Sequence, residues 1–234
     1  MKKYLIESIL IIGSVLLSLA IDSFVKKRER LDQKNIILSE LKTTITDDLE
    51  QLKMVVNIQK KCLKSSELLI EDFFKDIKLS DKELGKNFSY LKQNGVISFF
   101  PQIGPYKRLL NTGGMELIKS NALRSKLLII FDNLNRRKEF GDRVLDNFGM
   151  DFSRDLAPLI NVVEEKIEKR DVVYLNAKSI LKSIRINKNY YESELVVYYY
   201  SEYKYWIESF IDIYENYNNI FLEVVDLIDL EKSL

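Results

Sequence analysis

The sequence contains no histidine. Ser-His-Asp and Cys-His catalysis both use imidazole as the general base, so neither is available. Histidine-containing zinc and non-haem iron sites are removed as well, and so is the Glu-x-x-His pair of a di-iron bundle. A single cysteine, Cys62, rules out an intramolecular disulfide and a Cys-only zinc site. It falls in an apolar helical register, where a free thiol packs as a small hydrophobe. Only 3 prolines and 8 glycines interrupt 234 residues. Both disfavour helix interiors, so long helices are expected. Neither sign of charge is in excess: 36 basic residues face 35 acidic ones, a net of +1. Nucleic-acid binding usually shows as a basic excess or stripe, so it is not expected. No glycine-rich phosphate loop followed by Lys-Ser or Lys-Thr occurs. The sequence therefore offers no catalytic, cofactor-binding or metal-binding residues and implies no small-molecule substrate.

What is present is apolar. Hydrophobic residues make up 46% of the chain, ample for a core, and the length suits one or two domains. The N-terminal stretch carries the strongest signal. Residues 9–21 read ILIIGSVLLSLAI without a charge. Extending to residues 5–24 gives 20 residues, about 30 Å of helix and enough to cross a bilayer core. Glu7 and Asp22 then mark the two membrane boundaries, with Tyr4 and Phe24 adding aromatic ends. A permanent anchor is preferred over a cleaved signal peptide because Lys26-Lys27-Arg28 follows at once, although Ser18-Leu19-Ala20 has a cleavable spacing. A buried core helix is the third reading. Lys26, Lys27, Arg28 and Arg30 outnumber Lys2, Lys3 and the terminal amine, so the charge rule favours a body in the cytoplasm. Ser14 and Ser18 form a small-xxx-small pair suited to close helix packing.

The body, residues 31–234, reads as a helical bundle, with residues 1–30 as anchor and basic flank. From Leu31 to about Lys78, Leu38, Leu41, Ile45, Leu52, Val55, Cys62, Leu69 and Phe73 recur at heptad-compatible spacing. Asp48, Gln59 and Ser66 interrupt the stripe, which favours a bundle helix over a coiled coil. Residues 85–114 hold five glycines and two prolines and form a turn-rich insert. Ser80-Asp81 is a helix start. Pro105 suits the first turn of a short helix reaching Leu110. Asn121 is the expected N-cap of the next helix, whose inner face is Leu123, Leu127, Ile130, Phe131 and Leu134. The run Asn135-Arg136-Arg137-Lys138-Glu139 reads as a solvated face, with a lipid-headgroup contact as the alternative. A helix to Phe148 should stop at Gly149. Helical segments are expected over residues 151–169, with Pro158 near its start or at a kink, and over residues 171–188.

The last helix is the clearest element of the body. Tyr199, Tyr203, Trp206, Phe210, Ile213, Tyr217, Ile220, Val224 and Leu227 alternate steps of four and three. A second row, Tyr200, Ile207, Tyr214, Phe221 and Ile228, widens the face to bundle width. Core packing explains the stripe best, and a recognition groove built on Tyr199, Tyr203, Trp206, Phe210 and Tyr217 is the alternative. Glu223, Asp226 and Asp229 read as a solvated acidic face rather than a cation site. Glu164-x-Lys166 resembles a nuclease fragment but lacks a β context.

Three pieces carry a family resemblance: the acid-led span from Glu7 to Asp22, the segment Pro105-Tyr106-Lys107-Arg108-Leu109-Leu110-Asn111-Thr112-Gly113-Gly114 continuing to Leu123, and the C-terminal helix with its aliphatic and acidic end. The pattern resembles a family of uncharacterised bacterial single-pass membrane proteins defined only by a domain of unknown function. It departs at its start, where a longer basic tail is usual in that family. The resemblance implies a membrane protein and aligns Tyr106, Leu109 or Leu110, Gly113, Ile118, Asn121 and Leu123 with the family signature. It implies no activity. The turn at Gly113-Gly114 also has a physical reading, a tight reversal with Tyr106 and Leu110 packed beneath it.

The expectation is an all-α protein with an N-terminal transmembrane helix in a bacterial inner membrane. It would act without catalysis as a scaffold or sensor, through a protein partner or self-association. A membrane-perturbing effector of a toxin or defence system and an enzyme working without histidine are the alternatives.

Overall fold

The computed structural model describes residues 2–169 and 177–233, with side chains described for all of these except residues 2–9, 137 and 161–182. The chain is mostly helical. Helix α1 (Lys2–Phe73) runs without a break through the apolar N-terminal segment into the bundle. Its 72 residues make a rod of about 108 Å. Helix α2 (Asp81–Asn94) follows, then α3 (Gly104–Asn111), a 3₁₀ turn (Gly114–Leu117), α4 (Asn121–Leu128), a π-helical segment (Ile129–Leu134) and α5 (Asn135–Asp155). Strands β1 (Ile160–Lys169) and β2 (Ala177–Ile186) form a two-stranded antiparallel sheet. A short helix α6 (Lys188–Tyr191) leads to the 40-residue α7 (Glu194–Ser233).

Helices α1 and α7 are the frame and lie antiparallel, with Lys42 bound to Asp229, Lys60 to Glu215 and Lys204 to Glu67 along their flanks. The buried row on α1 is Lys34, Leu38, Leu41, Ile45, Asp48, Leu52, Val55, Gln59, Cys62, Ser66 and Leu69. The buried row on α7 is Val196, Tyr200, Tyr203, Ile207, Phe210, Tyr214, Tyr217, Phe221, Val224, Ile228 and Glu231. Both step by four and three, the repeat that keeps one seam of a helix facing its neighbour. On α7 the centre of the face lies one residue away from the expected stripe: Trp206, Ile213 and Leu227 sit at its margin, partly buried. The secondary row of Tyr200, Ile207, Tyr214, Phe221 and Ile228 lies at its heart.

Helix α2 begins as expected, because Ser80 and Glu83 form a reciprocal capping box. Gly85, expected to open the turn-rich insert, is inside α2; a Cβ there would fall 2.5 Å from Ile184 of β2. Pro105 occupies the first turn of α3, where its missing N–H costs nothing. The N-cap of α4 is Ser120, whose hydroxyl accepts from Leu123 N; the expected cap, Asn121, is the first helical residue and bonds Arg124 instead. The inner face of Leu123, Leu127, Ile130, Phe131 and Leu134 is buried as read.

Three expectations fail. Gly149 does not stop a helix, because α5 passes through it to Asp155. The glycine instead permits close packing, since a Cβ would fall 2.5 Å from Val96. Helices expected over residues 151–169 and 171–188 are replaced after Asp155 by the β1–β2 hairpin, which pairs from Ile160 opposite Ile186 to Lys169 opposite Ala177 with shifts of register on either side of Glu164. Residues 171–176 of the second lie outside the described residues. β-Branched residues favour strand over helix, and Ile160, Val162, Val163 and Ile167 supply them in β1.

Candidate functional site

The most unusual surface is at the start of α1. Leu10, Ile11, Ile12, Val15, Leu16, Leu17, Leu19, Ile21, Phe24 and Val25 are 45–67% exposed. Successive residues turn by 100° on a helix, so these side chains cover every face. Among the described residues none buries them. Among the described residues no helix is long and apolar enough to cross a membrane. The transmembrane anchor expected over residues 5–24 is therefore not shown. The uncharged run with described side chains extends only from Leu10 to Ile21, about 18 Å against a bilayer core of about 30 Å. Asp22 ends it and pairs with Lys26 one turn later. The other expected boundary, Glu7, lies outside the described side chains.

Beyond Arg30 the bundle closes on a buried ion pair. Lys34, the first buried residue of α1, donates to Glu231, the last buried residue of α7, at 2.8 Å, with side chains 4% and 0% exposed. The same carboxylate accepts from the backbone N–H of Lys119, at 2.9 Å, and of Ser120, at 2.8 Å. Burial pushes the Glu231 carboxyl up, but the bonds from Lys34, Lys119 and Ser120 outweigh it and hold it below the usual range. The turn leading into Ser120 matches its sequence reading in part. Gly113 has φ of 68°, a conformation that favours glycine, and the Arg30 guanidinium lies against it. Tyr106 is buried, stacks on Phe131 at 4.6 Å and donates to Asp132. Gly114 is buried against Leu109, and it is Leu109 that packs beneath the turn; Leu110, expected there, is 43% exposed.

The polar interruptions of the α1 stripe hold a non-helical strap, residues 97–103, against the two long helices. Gln59 donates to the carbonyl of Ile97, and Asp48 accepts from the backbone and side chain of Gln102 at 3.0 and 3.3 Å. Ser98 bonds both Asp142 and Tyr214. Lys138 is buried, pairs with Asp142 and lies 4.4 Å from the Phe100 ring centroid. Within the charged run at 135–139, Arg136 and Glu139 are exposed, as a solvated face requires, whereas Lys138 departs from that reading as a buried structural cation. Burial pushes the Asp48 carboxyl up to about 6, against the hydrogen bonds from Gln102 that lower it. Its folded pKa lies above its unfolded one, so the group stabilises the fold relative to the unfolded chain only while protonated. That contribution is complete below about pH 4 and is lost as pH rises through 6. Asp48→Asn is expected to raise stability at pH 8 by about 1–2 kcal/mol and to flatten the urea midpoint between pH 4 and 7. A lower midpoint at pH 8 would refute this.

The remaining candidates are absorbed by packing. Tyr199, Tyr203, Phe210 and Tyr217 are buried and Trp206 is partly so, which leaves no open aromatic recognition groove among them. Glu223 and Asp229 pair with Lys126 and Lys42, and no group of three acidic or cysteine side chains able to hold a metal occurs among the described residues. Glu164 and Lys166, expected to lack a β context, lie on strand β1, and their side chains are outside those described. One open groove of about 640 Å³ lies between α1 and α7, with Leu49, Lys53, Val56, Tyr214, Glu215 and Leu222 among its lining. No sequence signal pointed to it, because it forms where the outer flanks of two distant helices meet.

The fold is that of a helical bundle built on a long antiparallel pair. No protein-family model, curated protein or solved structure matches the chain.

Proposed function

We propose that the chain is a membrane-tethered helical scaffold acting through protein–protein contacts, held by its N-terminal helix in a bacterial inner membrane with the bundle on the cytoplasmic side. One observation carries this reading: apolar side chains cover every face of α1 from Leu10 to Val25, yet none enters the bundle core. A helix that is apolar all round is stable only inside a large core or in lipid. In the sequence, Ser8 and Ile9 carry the uncharged run back to Glu7, and Leu5 and Ile6 lie beyond that charge. The excess of basic residues after Val25 favours the cytoplasmic side, and the resemblance at Glu7–Asp22 and Pro105–Leu123 implies a membrane protein. Contacts with a partner fall to the groove between α1 and α7, which combines apolar Leu49, Val56 and Leu222 with charged Lys53 and Glu215.

The test uses the full chain in native membranes with Asn57→Cys as a cross-linking site. Cys62 stays silent because burial pushes its thiol up to about 12. A discrete adduct is expected, either a dimer or a second protein, and Lys53→Glu with Leu222→Arg should abolish it while leaving helicity unchanged. A chain that yields no adduct, or an adduct indifferent to the groove substitutions, would contradict the scaffold reading.

A further inference from the structure

We infer that Lys26, Lys27, Arg28 and Arg30 form a collar that binds anionic lipid headgroups and seats the base of the bundle on the membrane surface. The inference rests on the lipid placement of α1 proposed above. Four cations fall within five residues, directly after the apolar segment, and all are exposed. At 100° per residue, Lys26, Lys27 and Arg28 point in directions a third of a turn apart, with Arg30 near Lys26. The positive charge therefore rings the helix. A protein partner would meet one face of the helix, whereas headgroups surround it evenly, so a ring fits lipid.

The collar takes no part in the bundle core, whose first buried residue on α1 is Lys34. Lys26 reaches back to Asp22, and Glu29 is the acidic residue within the ring. Arg30 touches the Gly113 turn, so the collar and the base of the bundle are contiguous. Lys34 follows Arg28 by about 9 Å of helix, comparable to the Debye length at physiological salt. No glycine or proline lies between Gly13 and Gly85, so the link is continuous helix. Exposed Lys119 and Lys232 lie at this same end, beside Glu231. Anionic headgroups supply phosphate oxygens, which accept from lysine ammonium groups and engage arginine in paired bonds. Clusters of four to eight basic residues beside a membrane helix recognise such lipids through charge.

The full chain reconstituted in phosphatidylcholine bilayers, probed with spin-labelled phosphatidylglycerol or spin-labelled phosphatidylcholine, tests this directly. The motionally restricted fraction should favour phosphatidylglycerol by at least about three-fold at low salt and approach parity in about 1 M NaCl, where the Debye length is about 3 Å. Changing Lys26, Lys27, Arg28 and Arg30 to Gln should remove the preference while the restricted phosphatidylcholine component remains. Equal restriction of both lipids by the unmodified chain would overturn the collar, and so would a preference that survives in the quadruple variant. Absence of restricted lipid of either kind would remove the lipid placement of α1 itself, a pattern distinct from unselective restriction.

Discussion

Glu231→Ala is expected to cost about 3–5 kcal/mol of folding stability, the range for breaking a buried pair by removing one partner. The loss has two sources. Lys34 stays buried between α1 and α7 with its ammonium uncompensated. The backbone N–H groups of Lys119 and Ser120, which open α4, lose their acceptor at the same time. Domain stabilities span about 5–15 kcal/mol, so the change is a large share of the total. Lys34→Met combined with Glu231→Gln should recover most of it, because methionine fills the lysine stem and the glutamine carbonyl still accepts from the α4 amides. Urea denaturation reads both variants. A Glu231→Ala cost under about 1 kcal/mol would mean that the pair does not close the base. The pH dependence has a definite sign. The carboxyl is held below its ordinary range in the fold, so its contribution is present above the usual glutamate pKa and is lost as pH falls through the depressed value. Glu231→Gln should flatten that acid limb.

Ile12→Arg with Leu16→Arg is expected to move the chain from membrane to aqueous fraction. Each arginine at the centre of an inserted helix costs about 2.5–3.5 kcal/mol on an insertion scale, and each lost apolar residue adds about 0.5. The pair therefore weakens insertion by about 6–8 kcal/mol. Both positions lie more than four turns from Lys34, and both are exposed, so the bundle core is untouched. The urea midpoint of the bundle should remain that of the parent. A lowered midpoint would show that this stretch packs on the bundle, against the separation of tether and body.

Periodicity made most of the helical frame legible. The four-and-three spacing identified α7 and most of α1, and local capping chemistry at Ser80 and Pro105 placed α2 and α3. The register of α7 was less legible, because tyrosines occupy both candidate rows and the choice between them is made by α1. Asp48, Gln59 and Ser66 read as flaws in a stripe. Two of them, Asp48 and Gln59, are docking points for the strap at 97–103, a role visible only once residues 54 and 38 positions away are brought alongside. The Lys34–Glu231 pair spans 197 positions and leaves no local trace. The hairpin was misread because charged residues between Ile160 and Lys169 fit a helix face as well as a strand. The β-branched cluster at Ile160, Val162 and Val163 and the even-numbered spacing of Ile180, Ile184 and Ile186, interrupted at Lys182, were the available signals. Asn121 and Ser120 are both good cap residues side by side, so composition alone leaves the start of α4 uncertain by one residue, and the fold places the cap at Ser120. At the membrane end, composition could show an apolar run and its charged limits, while the exposure of every face of Leu10–Val25 came from the fold.

The central claim is that this exposed apolar helix sits in lipid while the bundle folds independently of it. Flotation with liposomes after an alkaline carbonate wash measures that claim most directly. The full chain should rise with the vesicles and resist the wash, and the chain carrying Ile12→Arg and Leu16→Arg should stay at the bottom of the gradient with its bundle folded. A full chain that remains in the aqueous fraction, or a double variant that floats as well as the parent, would contradict it.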